Sequence, residues 1–187
     1  MSDFSVRGIQ AQEWGAVKAL RLLALQDPMA PLAFLETYEH AVEQPDSFWQ
    51  ERASRAGEGA LAVRQFIAET EDGVWVGTLT VLVEAAGTVD WAGYPVEHQQ
   101  GHVVGVYVRP EWRGGEVIRG LFDAALEWAW EHGLERVRLI VHEENLRAQG
   151  AYRKFGFVPS GVTVALEAAP GESELEFVLD GPGGSHR

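Results

Sequence analysis

Hydrophobic residues near the start of the chain recur every three or four positions. Trp14, Val17 and Leu20 predict a helix from Glu13 to Leu25, ended by Asp27-Pro28. A second helical pattern runs from Leu32 to Val42, with Pro31 at its first turn and Pro45 beyond its end. Residues 46–55 add a further turn or two. Elsewhere the pattern shortens to an alternation. Phe4 to Ile9 reads as a first strand, and Ala60 to Glu69 and Val74 to Val83 as a hairpin closed by Glu71-Asp72-Gly73. The stretch 85–101 is too long and glycine-rich for a tight turn. With Asp90, Trp91 and Tyr94 inside it, it is either part of a binding pocket or a surface loop with a tucked aromatic.

From Gly105 to Phe157 the elements follow one another closely: a strand ending in Val108-Arg109-Pro110, a basic and glycine-rich turn, a helix, a strand, and a short helix with a tyrosine. Ile118, Leu121, Phe122, Ala125, Trp128 and Ala129 give the long helix, Val117 to His132, one broad apolar face. Glu127 and Glu131 fall on its outer side, and Gly133 is placed to cap it. A strand that passes through an arginine-glycine turn into a helix directs unpaired N–H groups and a positive dipole end at one point, which makes an anion site. Strands follow near Val162 to Leu166 and Glu174 to Leu179, and the tail, residues 182–187, is expected to be disordered.

This stretch resembles the cofactor half of the GNAT superfamily of acyl-CoA-dependent N-acetyltransferases. The resemblance rests on Val108-Arg109-Pro110, on Arg113 at the start of the glycine turn, on the four-turn helix with its following strand, and on Asn145, Ala148, Tyr152, Gly156 and Phe157. It implies an α/β, single-domain GNAT-like fold over residues 1–181, a mixed bent β-sheet flanked by helices. It also implies acetyl-CoA as acyl donor and a small-molecule or peptide amine as acceptor, joined by direct attack in a ternary complex. By the same resemblance Val106 and Val108 hold the pantetheine arm and acyl group through main chain. Arg113, Gly114, Gly115, Val117 and Arg119 hold the pyrophosphate region, and Asn145 and Tyr152 the thiol end.

The turn departs from the family pattern. Family members carry small residues where this chain has Glu116 and Ile118, and a carboxylate about 6 Å from phosphate repels it by roughly 3 kcal/mol at an effective dielectric near 20. The alternative to an enzyme is therefore a catalytically impaired relative that acts as an acyl-CoA sensor or interaction module.

Composition narrows the rest. With 187 residues, 46% of them apolar, one domain with a full core is expected. No apolar run suits a membrane span and no leader pattern is seen, so a soluble, cytoplasmic protein is expected. The absence of cysteine excludes disulfides, thiolate metal sites and a cysteine acyl-enzyme. The net charge is −13, yet Arg109 to Lys154 holds eight basic and eight acidic residues, so the whole excess lies outside the coenzyme half. Such a field opposes nucleic acid and favours a cationic amine, or it serves solubility alone. A homodimer paired through the last strand stays open.

Among candidate catalytic residues, Tyr152 suits a general acid. Asn145, Ala148 and Tyr152 share one helical face, and a phenol with an ordinary pKa of about 10 is protonated at neutral pH. Asn145 also fits a helix N-cap. His102 takes the place where some family members carry a glutamate base, with Glu84 and Glu69 as rivals. His98 and His102 do not share a helical face, so no metal is expected. No Gly-x-Ser-x-Gly or dinucleotide fingerprint is present.

Overall fold

The computed structural model describes residues 3–166 and 169–183. Seven strands form one mixed sheet in the order β1-β2-β3-β4-β5-β7-β6. They are β1 (Phe4–Gly8), β2 (Val63–Thr70), β3 (Trp75–Glu84), β4 (Gln100–Val108), β5 (Arg136–His142), β6 (Val158–Ala165) and β7 (Ser173–Asp180). The helices are α1 (Trp14–Leu25), α2 (Ala30–Ala33), α3 (Tyr38–Val42), α4 (Asp46–Ala56), α5 (Glu116–Glu131) and α6 (Leu146–Lys154). The chain divides into two compact units: the residues up to Val81 with Gly105–Ala125, and Leu82–Val104 with the residues from Leu126 on.

In the first unit, β1 lies antiparallel to β2, from Phe4 opposite Thr70 to Gly8 opposite Phe66. Gly73, at φ 79°, closes the β2–β3 hairpin. The amide of Thr70 donates to the Val74 carbonyl there at 2.9 Å. Val17, Leu20 and Ala24 of α1, Trp49 and Ala53 of α4, and Ile67 of β2 are buried in one core cluster. The helix expected from Leu32 to Val42 is instead two short ones, α2 and α3. Phe34 between them is extended, and Thr37 starts α3 by accepting a hydrogen bond from the His40 amide at 3.3 Å. Arg21 of α1 supplies the reason. Its guanidinium lies 4.4 Å from the Phe34 ring and 2.8 Å from a Glu36 oxygen, contacts that a continuous helix would have to give up.

In the second unit, β4 runs parallel to β5 with Gly101, His102 and Val103 opposite Val137, Arg138 and Leu139. β5 lies antiparallel to β7 along its whole length, and β7 carries β6 at the edge. Glycines end both α5 and α6 in the same way. Leu134 N–H reaches back to Ala129 O past Gly133, and Phe157 N–H to Tyr152 O past Gly156. Both glycines have positive φ, 74° and 94°, where a Cβ would be strained.

β4 starts at Gln100, earlier than the apolar pattern suggested, because its first positions carry Gln100 and His102 rather than aliphatic residues. The excursion before it is internally braced: Val89 bridges Pro95, and the Asp90 carboxylate accepts from the amides of Ala92 and Tyr94 at 2.8 and 2.9 Å. Of the expected disordered tail, residues 184–187 lie outside the described residues.

Candidate active site

In the first unit β4 delivers the chain to a turn. Val108 is buried and Val106 half-buried. Arg109 ties the strand end to β3, its amide donating to Val76 O at 2.9 Å and its Nε to Trp75 O at 2.8 Å. Arg113 Nε donates to the Val108 carbonyl at 2.7 Å, and its Nη2 to the Asp27 carboxylate beyond α1. The guanidinium thus closes the turn on itself and pins it to the segment after α1.

Past Arg113 the backbone opens. Gly114 has φ 74°, a region costly for other residues, and a Cβ there would meet nothing within 4 Å. Gly114, Gly115 and Glu116 are exposed, Val117 is buried with its side chain in the core, and Arg119 is exposed on the next turn. Among the described residues, the N–H groups of Gly114 and Gly115 make no backbone hydrogen bond of good geometry. They sit ahead of a sixteen-residue helix, where its orphan donors and positive dipole end add to theirs. Glu116, the first residue of that helix, is itself favoured by the dipole and competes with any anion bound there.

A cleft opens on the same unit. Val17, Leu20, Arg21 and Ala24 of α1, Arg52 of α4, Gln65 of β2, Thr78 and Thr80 of β3, and Gly105 and Tyr107 of β4 line it, and it is shallow, with an enclosed volume of about 20 Å³. Gln65 Nε2 donates to Thr78 Oγ1 at 3.0 Å, and Thr78 Oγ1 donates onward to Phe66 O at 2.9 Å. Gly105, at φ 62°, leaves that part of β4 without a side chain.

The second unit holds His102, Asn145 and Tyr152. Asn145 caps α6, its Oδ1 accepting from the Ala148 amide at 3.2 Å. Tyr152, two turns on, is buried, and its ring meets Phe157 edge-on at 6.4 Å. Burial disfavours the phenolate and pushes the Tyr152 hydroxyl up to about 12.

His102 sits in a polar cluster on the sheet. Arg138, 1% exposed, donates through Nε and Nη2 to the two oxygens of Glu84 at 2.7 and 2.5 Å, and through Nη1 to Glu176 at 3.1 Å. Asp90 stands 3.6 Å from the same nitrogen, and His102 Nδ1 lies 3.8 Å from Glu84 Oε2. Burial, followed by the neighbouring guanidinium, pulls His102 down to about 4, so it is neutral at physiological pH. Burial alone would raise Glu84, but the hydrogen bonds and charge of Arg138, with His102 and Gln100, together outweigh it and hold the carboxyl below its usual range. Of the two rival bases, Glu84 is thus clamped by Arg138, and Glu69 accepts from Arg7 Nε at 2.9 Å.

Each unit therefore gathers part of the set named from sequence: Val106, Val108, Arg113, Gly114, Gly115, Val117 and Arg119 along one continuous strand, turn and helix, and His102, Asn145 and Tyr152 in the other. Sequence reasoning missed Arg21 and Arg52. A signal was present, because each sits inside an apolar stripe, at Val17, Leu20, Arg21, Ala24 and at Trp49, Arg52, Ala53, Ala56. A basic residue within a core-facing stripe is either paired or lines a site.

Comparison with known proteins bears on the same elements. The Acetyltransferase (GNAT) family matches over residues 28–157. A Bacillus subtilis strain 168 protein, provisionally named a ribosomal protein bS18 alanine N-acetyltransferase, is 31% identical over 100 residues, covering 46% of this chain and 66% of that protein. Mycothiol acetyltransferase of Saccharomonospora viridis is 37% identical over 92 residues, covering 49% of this chain but 29% of its own length. Among solved structures, a GNAT-family acetyltransferase of Streptococcus pneumoniae superposes with a TM-score of 0.66 at 18% identity, over 95% of this chain and 99% of that one. The chain spans less than two thirds of the length of these curated relatives, but the turn-and-helix element, the family match across most of the chain and the shared fold lead to one conclusion: this chain belongs to the acetyltransferase (GNAT) family.

Proposed function

We propose that the protein transfers an acetyl group from acetyl-CoA to a primary amine by direct attack. The observation that carries this reading is the exposed turn of Gly114 and Gly115 ahead of α5, whose amides make no hydrogen bond of good geometry among the described residues, with open space over Gly114. These donors suit the pyrophosphate of the coenzyme. Val117 contributes its amide rather than its buried side chain, and Arg119 adds positive charge one turn along. Arg113 in this reading braces the turn through Val108 and Asp27. Val106 and Val108 present main-chain groups to the acyl arm. The absence of cysteine supports attack without a sulfur-bound acyl-enzyme.

The amine lone pair attacks the thioester carbonyl carbon, a C–N bond forms, and the C–S bond breaks. The departing thiolate takes the hydroxyl proton of Tyr152, a group that burial keeps protonated up to about pH 12. Asn145 holds the first turn of α6 and so the orientation of that tyrosine. The amine's own proton passes through His102, whose low proton affinity of about 4 makes it a relay, to solvent, and solvent returns a proton to Tyr152, so that amide and free thiol are the net products. A Tyr152→Phe protein tests the reading. It is expected to keep the rise in melting temperature with acetyl-CoA while losing thiol release, and equal turnover in the two proteins removes Tyr152 from the mechanism.

Glu116 favours a second reading, an acyl-CoA sensor without turnover, because its carboxylate stands at the first turn of α5. Melting with and without acetyl-CoA separates the two, since a ligand at about 100 times its dissociation constant adds roughly 2.7 kcal/mol. Stabilisation without thiol release across a panel of amines identifies the sensor.

A further inference from the structure

The cleft of the first unit carries a charge pattern that the chain as a whole does not. The protein is strongly acidic, yet the two ionisable groups of fixed charge that line this cleft are both arginines. Arg21 is matched by Glu36 at 2.8 Å. Arg52 is not matched. Among the described residues no carboxylate forms an ion pair with it, and its one close partner is the Trp49 ring face, 5.7 Å away. Burial, then the charge of Arg21, lower its proton affinity, and Glu36 offsets this only in part. A half-buried guanidinium with a second guanidinium nearby and one carboxylate between them is an unbalanced positive site.

The remaining lining is polar along the sheet side. Tyr107 and Gly105 belong to β4, the strand whose next residues, Val106 and Val108, are assigned to the acyl group in the preceding reading. Thr78, Thr80 and Gln65 add hydroxyl and amide groups beside the aliphatic side of α1. An amine placed over β4 would thus have the rest of its body directed into a cleft whose fixed charge is positive.

We propose that the acceptor amine also carries an oxyanion, a carboxylate or a phosphate, which Arg52 binds through its planar guanidinium with Arg21 in support. This rests on the acetyl-transfer reading and narrows its substrate class to small zwitterionic amines such as amino acids or phosphorylated amino alcohols. The fixed-charge pattern selects against plain alkylamines and polyamines, which bring only positive charge.

The experiment pairs probes that differ in the anion alone. L-Alanine and L-methionine are compared with ethylamine and 3-(methylthio)propylamine, and O-phosphoethanolamine with ethanolamine, first by protein melting and then by thiol release from acetyl-CoA. The anionic member of at least one pair is expected to raise the melting temperature and to show the lower KM, and which pair responds identifies the anion. Arg52→Gln is expected to raise that KM by about ten- to a hundredfold, the loss of one charge-assisted hydrogen bond, and to lower the KM of the plain amine, which no longer meets that positive charge. Arg52→Lys, which keeps the charge without the fork, is expected to recover part of the preference. Equal melting shifts and equal KM values within every pair, or a preference that Arg52→Gln leaves unmoved, overturn the proposal. Turnover of plain amines in that case leaves acetyl transfer standing. Melting shifts by zwitterions that vanish in Arg52→Gln, without any thiol release, keep the anion site and remove acetyl transfer.

Discussion

Arg138→Gln is the most demanding test of the polar cluster on the sheet. The substitution keeps a hydrogen-bonding side chain but removes the guanidinium that pairs with Glu84, Glu176 and Asp90. Breaking a buried ion pair by deleting one partner costs about 3–5 kcal/mol, because the other charges stay buried and unmatched. In a chain of this size each kcal/mol lowers Tm by roughly 2–4 °C. A fall on the order of 10 °C is expected at pH 8.

The pH dependence makes the test specific. In the wild type His102 has a folded pKa of about 4 against the ordinary 6.5, so the unfolded chain binds more protons between those values. Wild-type stability therefore declines as pH falls through that window, by roughly 3 kcal/mol at 1.36 kcal/mol per unit. The lowered Glu84 acts in the same direction further into acid. In Arg138→Gln the guanidinium that opposes His102 protonation is gone while the carboxylates stay, so the imidazolium can replace the lost charge. The gap between the two proteins is expected to narrow from pH 8 to pH 5 in urea denaturation, and to stay wide when His102→Gln is added. A loss under about 1 kcal/mol, or a gap equal at both pH values, refutes the assignment of Arg138 as the charge that organises this cluster.

Glu116→Gly is expected to tighten acetyl-CoA binding by about three- to tenfold, a solvent-screened fraction of the bare repulsion, and calorimetry that finds no change rules out the carboxylate as an obstacle. The pH profile of kcat/KM is expected to follow the pKa of the amine acceptor, with no inflection near 6.5, because His102 and Tyr152 titrate at about 4 and about 12; an inflection near neutrality that disappears in His102→Gln contradicts this. Gly77→Ala is expected to cost about 1–3 kcal/mol in denaturation, since its Cβ would stand 3.0 Å from methyl carbons of both Leu121 and Val117 and 3.2 Å from Tyr107 O. A neutral result there shows that α5 can shift away from β3. Trp49→Ala, at a fully buried site in the α1–α4 core, is expected to lose about 3–5 kcal/mol by the same measurement.

Elements made by local periodicity could be read directly from the chain. The face of α5 and its Gly133 cap, the Asn145 cap of α6, and the Gly73 hairpin all depend on residues within a few positions of one another. The resemblance carried by Val108-Arg109-Pro110 and by Asn145 to Phe157 is equally local, and so is the placing of Gly114 and Gly115 at the head of a helix. Wherever distant residues meet, sequence spacing has no grip. The break between α2 and α3 follows from Arg21 reaching Phe34 and Glu36, and the early start of β4 from Arg138 and Glu84 accommodating polar side chains on the sheet. The proton affinities of His102 and Tyr152, near ordinary values in an isolated chain, are set by burial and by a neighbouring guanidinium. Likewise, Arg52 became a candidate ligand for an acceptor only once packing half-buried it with, among the described residues, no carboxylate in ion-pair contact. Local sequence decides which way a backbone turns; the free energy of a charge depends on what the folded chain brings beside it and on how much water it leaves.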